Sequence, residues 1–187
     1  VIAVEGNISQ TPARALDRRI SSDVIRKSTH ALGQLKGITA TFRMTNKPLP
    51  TKPSHFVSGV LTPLLKFNET VSGKGKITSA ATRKALLIEA VNGICEQYAD
   101  AAEDLLTSVK KTEASLNRLK DRKGDAAQKA QTTDPSQPTD SEKIVRQVRL
   151  DAHAFGEGIV KLGIDVSKLE SFAKLWGVTG EGEPMTF

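Results

Sequence analysis

Four side chains of this 187-residue chain have the chemistry of a metal ligand or nucleophile near neutral pH: His30, His55, His153 and the single cysteine, Cys95. The histidines fall on three separate expected elements. No cysteine or carboxylate stands at a spacing that would close a metal site with any of them. Each reads as a surface or boundary residue. Cys95 lies on an apolar stripe, where a thiol behaves as a small hydrophobe, and a nucleophile would need an activating neighbour that the sequence does not supply. "SGKGKITSA" (Ser72–Ala80) has a superficial likeness to a phosphate-binding loop. That motif requires Gly-Lys-Ser/Thr closing a longer glycine loop after a strand. Here Ile77 follows Lys76 and no strand precedes, so a basic turn is expected. No catalytic, metal or cofactor site emerges, and the expectation is a protein that is not an enzyme.

The remaining chemistry is charge. "SVKKTEASLNRLKDRK" (Ser108–Lys123) holds Lys110, Lys111, Arg118, Lys120, Arg122 and Lys123 against Glu113 and Asp121, a net of +4 in a chain of net +6. It reads as the solvated flank of a long helix. The functional alternative is a docking face for an acidic partner or for anionic lipid headgroups. Nucleic acid is the poorest fit, because readers of single strands stack bases on aromatics beside the charge, and Tyr98 is the nearest ring. The triplets Asn7-Ile8-Ser9 and Asn68-Glu69-Thr70 are of glycosylation type, but patterns this short arise by chance.

These residues need elements to place them. Apolar residues make up 38% of the chain, charged ones 26% and aromatics 4%, a balance that favours helices over a β-sandwich. The length suffices for a domain with a core. One cysteine allows no intrachain disulfide, which suits a reducing compartment. No run of about eighteen apolar residues occurs, and the opening "VIAVEGNISQ" has neither a signal-peptide pattern nor an initiator methionine, as a fragment of a longer protein would. Pro12 suits a first helical turn. From there Leu16, Ile20, Val24, Ala31, Leu35, Ile38 and Phe42 recur at helical spacing, with a bend expected near Gly33 and Gly37. "TNKPLPTKP" ends that helix. Ser54 then caps a second one (Phe56, Val60, Leu64, Phe67), with a kink or break expected at Pro63.

The strongest pattern lies between Thr78 and Arg122, a stretch without proline. Ile88, Cys95, Ala102, Val109 and Leu116 stand seven apart, and Val91, Tyr98, Leu105, Thr112 and Leu119 each follow by three. This is a five-heptad seam, expected to face inward along its whole length. Residues 124–140 contain no apolar side chain larger than alanine and read as a mobile linker. Asp140 or Ser141 caps the next helix, with Val145, Val148, Ala152, Phe155, Ile159 and Leu162 on its inner face and Gly163 as its left-handed stop. Asp165 caps a last short helix (Leu169, Phe172, Trp176), ended by Gly177. Residues 1–11 and 178–187 are expected to fray.

Four separated stretches carry a family likeness: "FRMTNKPLP" (Phe42–Pro50), "VLTPLLKF" (Val60–Phe67), "SVKKTEASLNRLK" (Ser108–Lys120), and "DSEKIVRQVRLD" with "IVKLGIDVSKLESFA" (Ile159–Ala173). In that order they resemble the C-terminal domain family of subunit 2 of the conserved oligomeric Golgi complex. The likeness covers most of Phe42–Ala173. "GKGK" and the end after Trp176 look particular to this chain. The resemblance implies a peripheral protein on the cytosolic face of the Golgi membrane. It also implies a complex that tethers vesicles in intra-Golgi retrograde transport, and partners among other subunits, tethers, small GTPases or SNARE proteins. It marks Thr45, Asn46, Lys47 and Pro50 as a family-like connector, which reads equally as a stiff joint or a binding loop. The expectation is therefore one all-α, elongated bundle of about five helices over residues 1–187, with a spine near 78–122 and a non-catalytic interaction role. A basic membrane-surface module and an intermolecular coiled coil stand as the alternatives.

Overall fold

The computed structural model describes residues 12–72, 79–122 and 138–179. The expected lead-in at 1–11, most of the glycine turn, the linker residues 124–137 and the tail from 180 lie outside the described residues. What is described is helical, with no strand among the described residues.

Helix α1 (Pro12–Thr29) passes through a 3-10 stretch (His30–Leu35) into α2 (Lys36–Phe42). The bend expected at Gly33 and Gly37 takes this form. Tightening to about three residues per turn re-aims the chain, while Leu32, Leu35, Ile38 and Phe42 all stay buried. Arg43 turns extended and ends α2. Helix α3 (Phe56–Ser72) contains Pro63 and continues through it, so the break expected there does not occur. Ser54 stands two residues before α3 and meets it through its carbonyl, which accepts from the Val57 N–H at 3.3 Å, while its own N–H and hydroxyl are donated to Asp151, far along the chain.

Helix α4 (Ala80–Arg122) is the spine, 43 residues in one piece and roughly 65 Å long at 1.5 Å per residue. Helix α5 (Asp140–Lys161) lies along it. Its cap is Thr139 rather than Asp140 or Ser141, through a reciprocal capping box with Glu142. A threonine three residues before a glutamate satisfies two orphan donors at once, which neither neighbour can do. Gly163 takes φ +78°, the left-handed stop expected of it. Asp165 caps a 3-10 turn (Val166–Lys168), and α6 (Glu170–Thr179) begins only after that. Helix α6 runs past Gly177, and Thr179 is buried.

Between Ile88 and Val109 the seam faces inward as the spacing requires. Val91, Ile94, Cys95, Tyr98, Ala99 and Ala102 are fully buried, and Leu105, Leu106 and Val109 are nearly so. Tyr98 sits between Phe56 of α3 and Phe155 of α5, at ring-centroid distances of 6.2 and 5.7 Å. Two glycines allow the close approach. A Cβ on Gly93 would stand 2.6 Å from the Cδ1 of Ile25 in α1, and one on Gly158 would stand 2.4 Å from the Cδ1 of Leu61 in α3. Each large side chain buried here contributes about 1.5–3 kcal/mol. The exposed Lys174–Asp100 pair, at 2.7 Å between α6 and α4, is screened by solvent and adds little. The apolar ridge, not the ion pairs, holds the bundle.

The ridge does not stay covered to its end. Leu116 and Leu119, expected on the inner seam, are 51% and 55% exposed. Tyr98 of α4 meets Phe155 of α5, while Glu113, further along α4, lines one groove with Thr139 at the start of α5; the two helices are antiparallel and α5 begins level with Glu113. Beyond that level α4 runs past the start of its neighbour, and the heptads continue without a described helix across from them.

Candidate functional site

Helix α5 fastens the proline connector. Asp151, fully buried, accepts from the backbone N–H of Ser54, from its hydroxyl at 2.8 Å, and from Gln147 Nε2 at 2.9 Å. Gln147 Nε2 also donates to the Lys52 carbonyl at 3.0 Å, and Arg146 Nε donates to the Pro50 carbonyl at 3.1 Å. At the near end, Asp140 accepts from the N–H of Met44 at 2.8 Å. Met44 has φ +53° and is 91% exposed, an uncommon backbone state for a side chain of its size. Residues 140, 147 and 151 recur by seven and four, hence on one face of α5. Burial pushes the Asp151 carboxyl above its ordinary value, against the pull of its Ser54 and Gln147 hydrogen bonds.

The family-like connector is thus a joint with one side tied down. Pro50 is buried, and the Thr45 hydroxyl donates to the Thr41 carbonyl at 2.9 Å. Asn46 and Lys47 are exposed.

On another side, α4, α5 and α6 enclose a groove of about 700 Å³. Leu106, Val109, Val145, Leu150 and Trp176 supply its apolar lining, with Lys110, Glu113, Arg146 and Arg149 among its charged residues. The Arg149 guanidinium lies 5.0 Å from the centroid of the Trp176 ring, within cation–π range. The His153 ring is 6.3 Å from the same ring, with its Nδ1 3.8 Å from Glu157. His30 and His55 are exposed and distant in the chain from this cluster. Trp176 and Arg149 were not singled out as a pair by the sequence. The faint signal was Arg149 and His153 at i,i+4 on the half-buried edge of α5.

Among the described basic side chains of α4, Lys110, Lys111 and Arg118 point in two directions. Successive residues turn about 100° round a helix. Lys110 therefore turns toward α5 and lines the groove, whereas Lys111 and Arg118 share a direction about 90° further round; all three are exposed. Lys120 and Arg122 belong to α4, but their side chains lie outside the described residues, as does Lys123 altogether.

Burial pushes the Cys95 thiol up to about 12, so at neutral pH it is a thiol packed in the core. Among the described residues no three or more His, Cys, Asp or Glu gather as a metal site would require. Among the described residues no helix is long and apolar enough to cross a membrane.

Fold and site together define an all-α bundle whose accessible features are grooves, a fastened connector and the free end of a long helix. Residues 4–152 match the family of the COG complex component COG2, C-terminal region. The chain belongs to this family. It is 34% identical over 164 residues to conserved oligomeric Golgi complex subunit 2 of Arabidopsis thaliana, covering 86% of this chain and 21% of that protein. With the subunit 2 of Homo sapiens it shares 33% identity over 178 residues, 89% of this chain and 23% of the other. With that of Drosophila melanogaster the identity is 29% over 150 residues, 79% and 20% of the two chains. The chain thus spans about one fifth of the length of the curated relatives it matches. No solved structure matches it.

Proposed function

We propose that this chain is a non-catalytic docking domain of a subunit of a Golgi vesicle-tethering complex, acting in intra-Golgi retrograde transport. Residues 1–187 work as one helical domain that takes no cofactor. It is held peripherally on the cytosolic face of the membrane by the complex to which it belongs. Its partners are other subunits, with tethers, small GTPases and SNARE proteins as further candidates, and Lys110, Lys111 and Arg118 take part in the contacts. The observation that carries this reading is the family match over residues 4–152, which takes in the connector, the α5 residues that fasten it and all of α4. A bundle rigidified by a buried ridge suits presentation of surfaces better than turnover. The differing directions of Lys110 and of Lys111 with Arg118 round α4 weigh against a flat membrane-binding face, and burial of the seam as far as Val109 weighs against an intermolecular coiled coil along its length.

The test is complementation. Cells lacking subunit 2 receive the full-length protein with or without this domain, and Golgi-dependent glycosylation is followed by surface lectin binding. Restoration by the full chain and failure by the truncated one is expected. Equal restoration by both overturns the proposal.

A further inference from the structure

The heptad spacing of α4 does not change where its burial does. Leu116 follows Val109 by seven, and Leu119 follows Thr112 by seven, in the same register that buries Tyr98 and Leu105. Yet Leu116 and Leu119 are half exposed. The part of α4 beyond Glu113 is about 15 Å long and keeps an open apolar edge, which costs free energy in water. A seam of this register is satisfied by another helix, whose side chains interlock with it.

Charge indicates which helix. In the heptad that starts at Leu116, the e and g positions are Lys120 and Arg122, the positions that set partner choice in paired helices. From Lys110 to Arg122 there are five basic residues against Glu113 and Asp121. A second copy would bring the same positive charges to the contact, where like charges oppose each other. The connecting residues 123–137 hold no aliphatic or aromatic side chain larger than alanine apart from the ring of Pro135.

We infer that the projecting end of α4, centred on Leu116 and Leu119, docks an amphipathic helix of another protein chain that carries aliphatic residues at its a and d positions and Asp or Glu at e and g. This deepens the reading of the chain as a docking domain and rests on it. The Golgi assignment does not enter. Two leucines with a charged rim make a small contact, so the complex is weak and weakens further as salt screens the rim.

The test uses the full chain and a labelled synthetic helix of about 21 residues, three heptads, with leucine at a and d and glutamate at e and g. A control peptide carries lysine at e and g. Fluorescence anisotropy should show the acidic peptide binding at least about tenfold more tightly than the basic one, with affinity falling between about 0.05 and 0.5 M salt. Leu116→Ser with Leu119→Ser should remove the binding without changing the melting temperature. Lys120→Glu with Arg122→Glu should reverse the peptide preference. Equal binding of the two peptides, or unchanged binding by the serine variant, overturns the inference. So does self-association of the chain that the serine variant abolishes, which would make a second copy the occupant. Acidic-peptide binding that appears only after removal of residues 180–187 overturns it too, since the chain's own tail would then be the occupant. Failure here leaves the complementation result untouched, so the two proposals fail separately.

Discussion

Replacing Asp151 by alanine tests whether the connector is fastened from α5. The carboxylate accepts from the Ser54 N–H, the Ser54 hydroxyl and Gln147 Nε2. Alanine removes all three acceptor positions. Gln147 keeps its bond to the Lys52 carbonyl, but the half-buried Ser54 N–H and hydroxyl are stranded. Each stranded buried group costs about 1–3 kcal/mol, and relief from desolvating the charge recovers part. A net loss of about 2–4 kcal/mol follows, and with about 2–4 °C per kcal/mol for a domain of this size the melting point falls by roughly 5–15 °C. Asp151→Asn retains one acceptor oxygen and should lose about half as much. The pH dependence has a definite sign. The folded carboxyl titrates above its ordinary value of 3.8 because burial penalises its charge. The folded state therefore binds this proton more tightly than the unfolded chain does. The resulting stabilisation is complete below the unfolded value and is lost as pH rises through the folded one. The advantage of wild type over Asp151→Asn should accordingly narrow as pH rises from about 4 and then level off. Urea unfolding of the three proteins across pH measures this. An alanine variant as stable as wild type refutes the clamp. An advantage that widens with pH refutes the dominance of burial over the hydrogen bonds.

Other substitutions test other layers. Leu105→Asp places a charge in the covered part of the seam and should unfold the domain by circular dichroism, whereas Leu116→Asp, on the same helix and in the open part, should leave the melting point within about 2 °C of wild type. Lys110→Glu should likewise leave stability unchanged. The Tyr98 hydroxyl is buried with no hydrogen-bond partner among the described residues, so Tyr98→Phe should stabilise by about 1 kcal/mol; destabilisation in urea would mean the hydroxyl is satisfied. With its thiol fully buried and pushed up to about 12, Cys95 should resist a thiol reagent at pH 8 in the native state and react promptly in urea.

Much of the fold is written in local spacing. Period seven on α4 placed Ile88–Val109 inward, the three-and-four alternation placed Val148, Ala152, Phe155 and Ile159 in the core of α5, and Gly163 marked a left-handed stop. Where the seam stops being covered was not legible. Leu116 differs from Val109 in nothing on its own helix; the difference is that α5 begins level with Glu113. Ser54 resembles a cap because it precedes an apolar helix, yet α3 begins two residues later and the Ser54 side chain is turned to Asp151, a pairing across 97 positions that no local pattern encodes. The choice of Thr139 over Asp140 and Ser141 was legible in retrospect, since only Thr139 has a glutamate three residues on. For the candidate site, the basic residues were found but their direction was not: reading Lys110 and Lys111 as one face ignores the 100° between neighbours on a helix. The groove around Trp176 needed three helices to be placed before it existed.

The account rests on α4 being one helix with two fates, buried along the ridge as far as Val109 and presented beyond it. Hydrogen exchange of its backbone amides, followed along the helix by mass spectrometry, addresses this directly. Protection close to that of global unfolding is expected from Val91 to Val109, falling steeply past Glu113 through Leu116 and Leu119. Uniform strong protection to Arg122 would show that the end is covered within the chain, and early exchange around Tyr98 would show that the ridge is not the core.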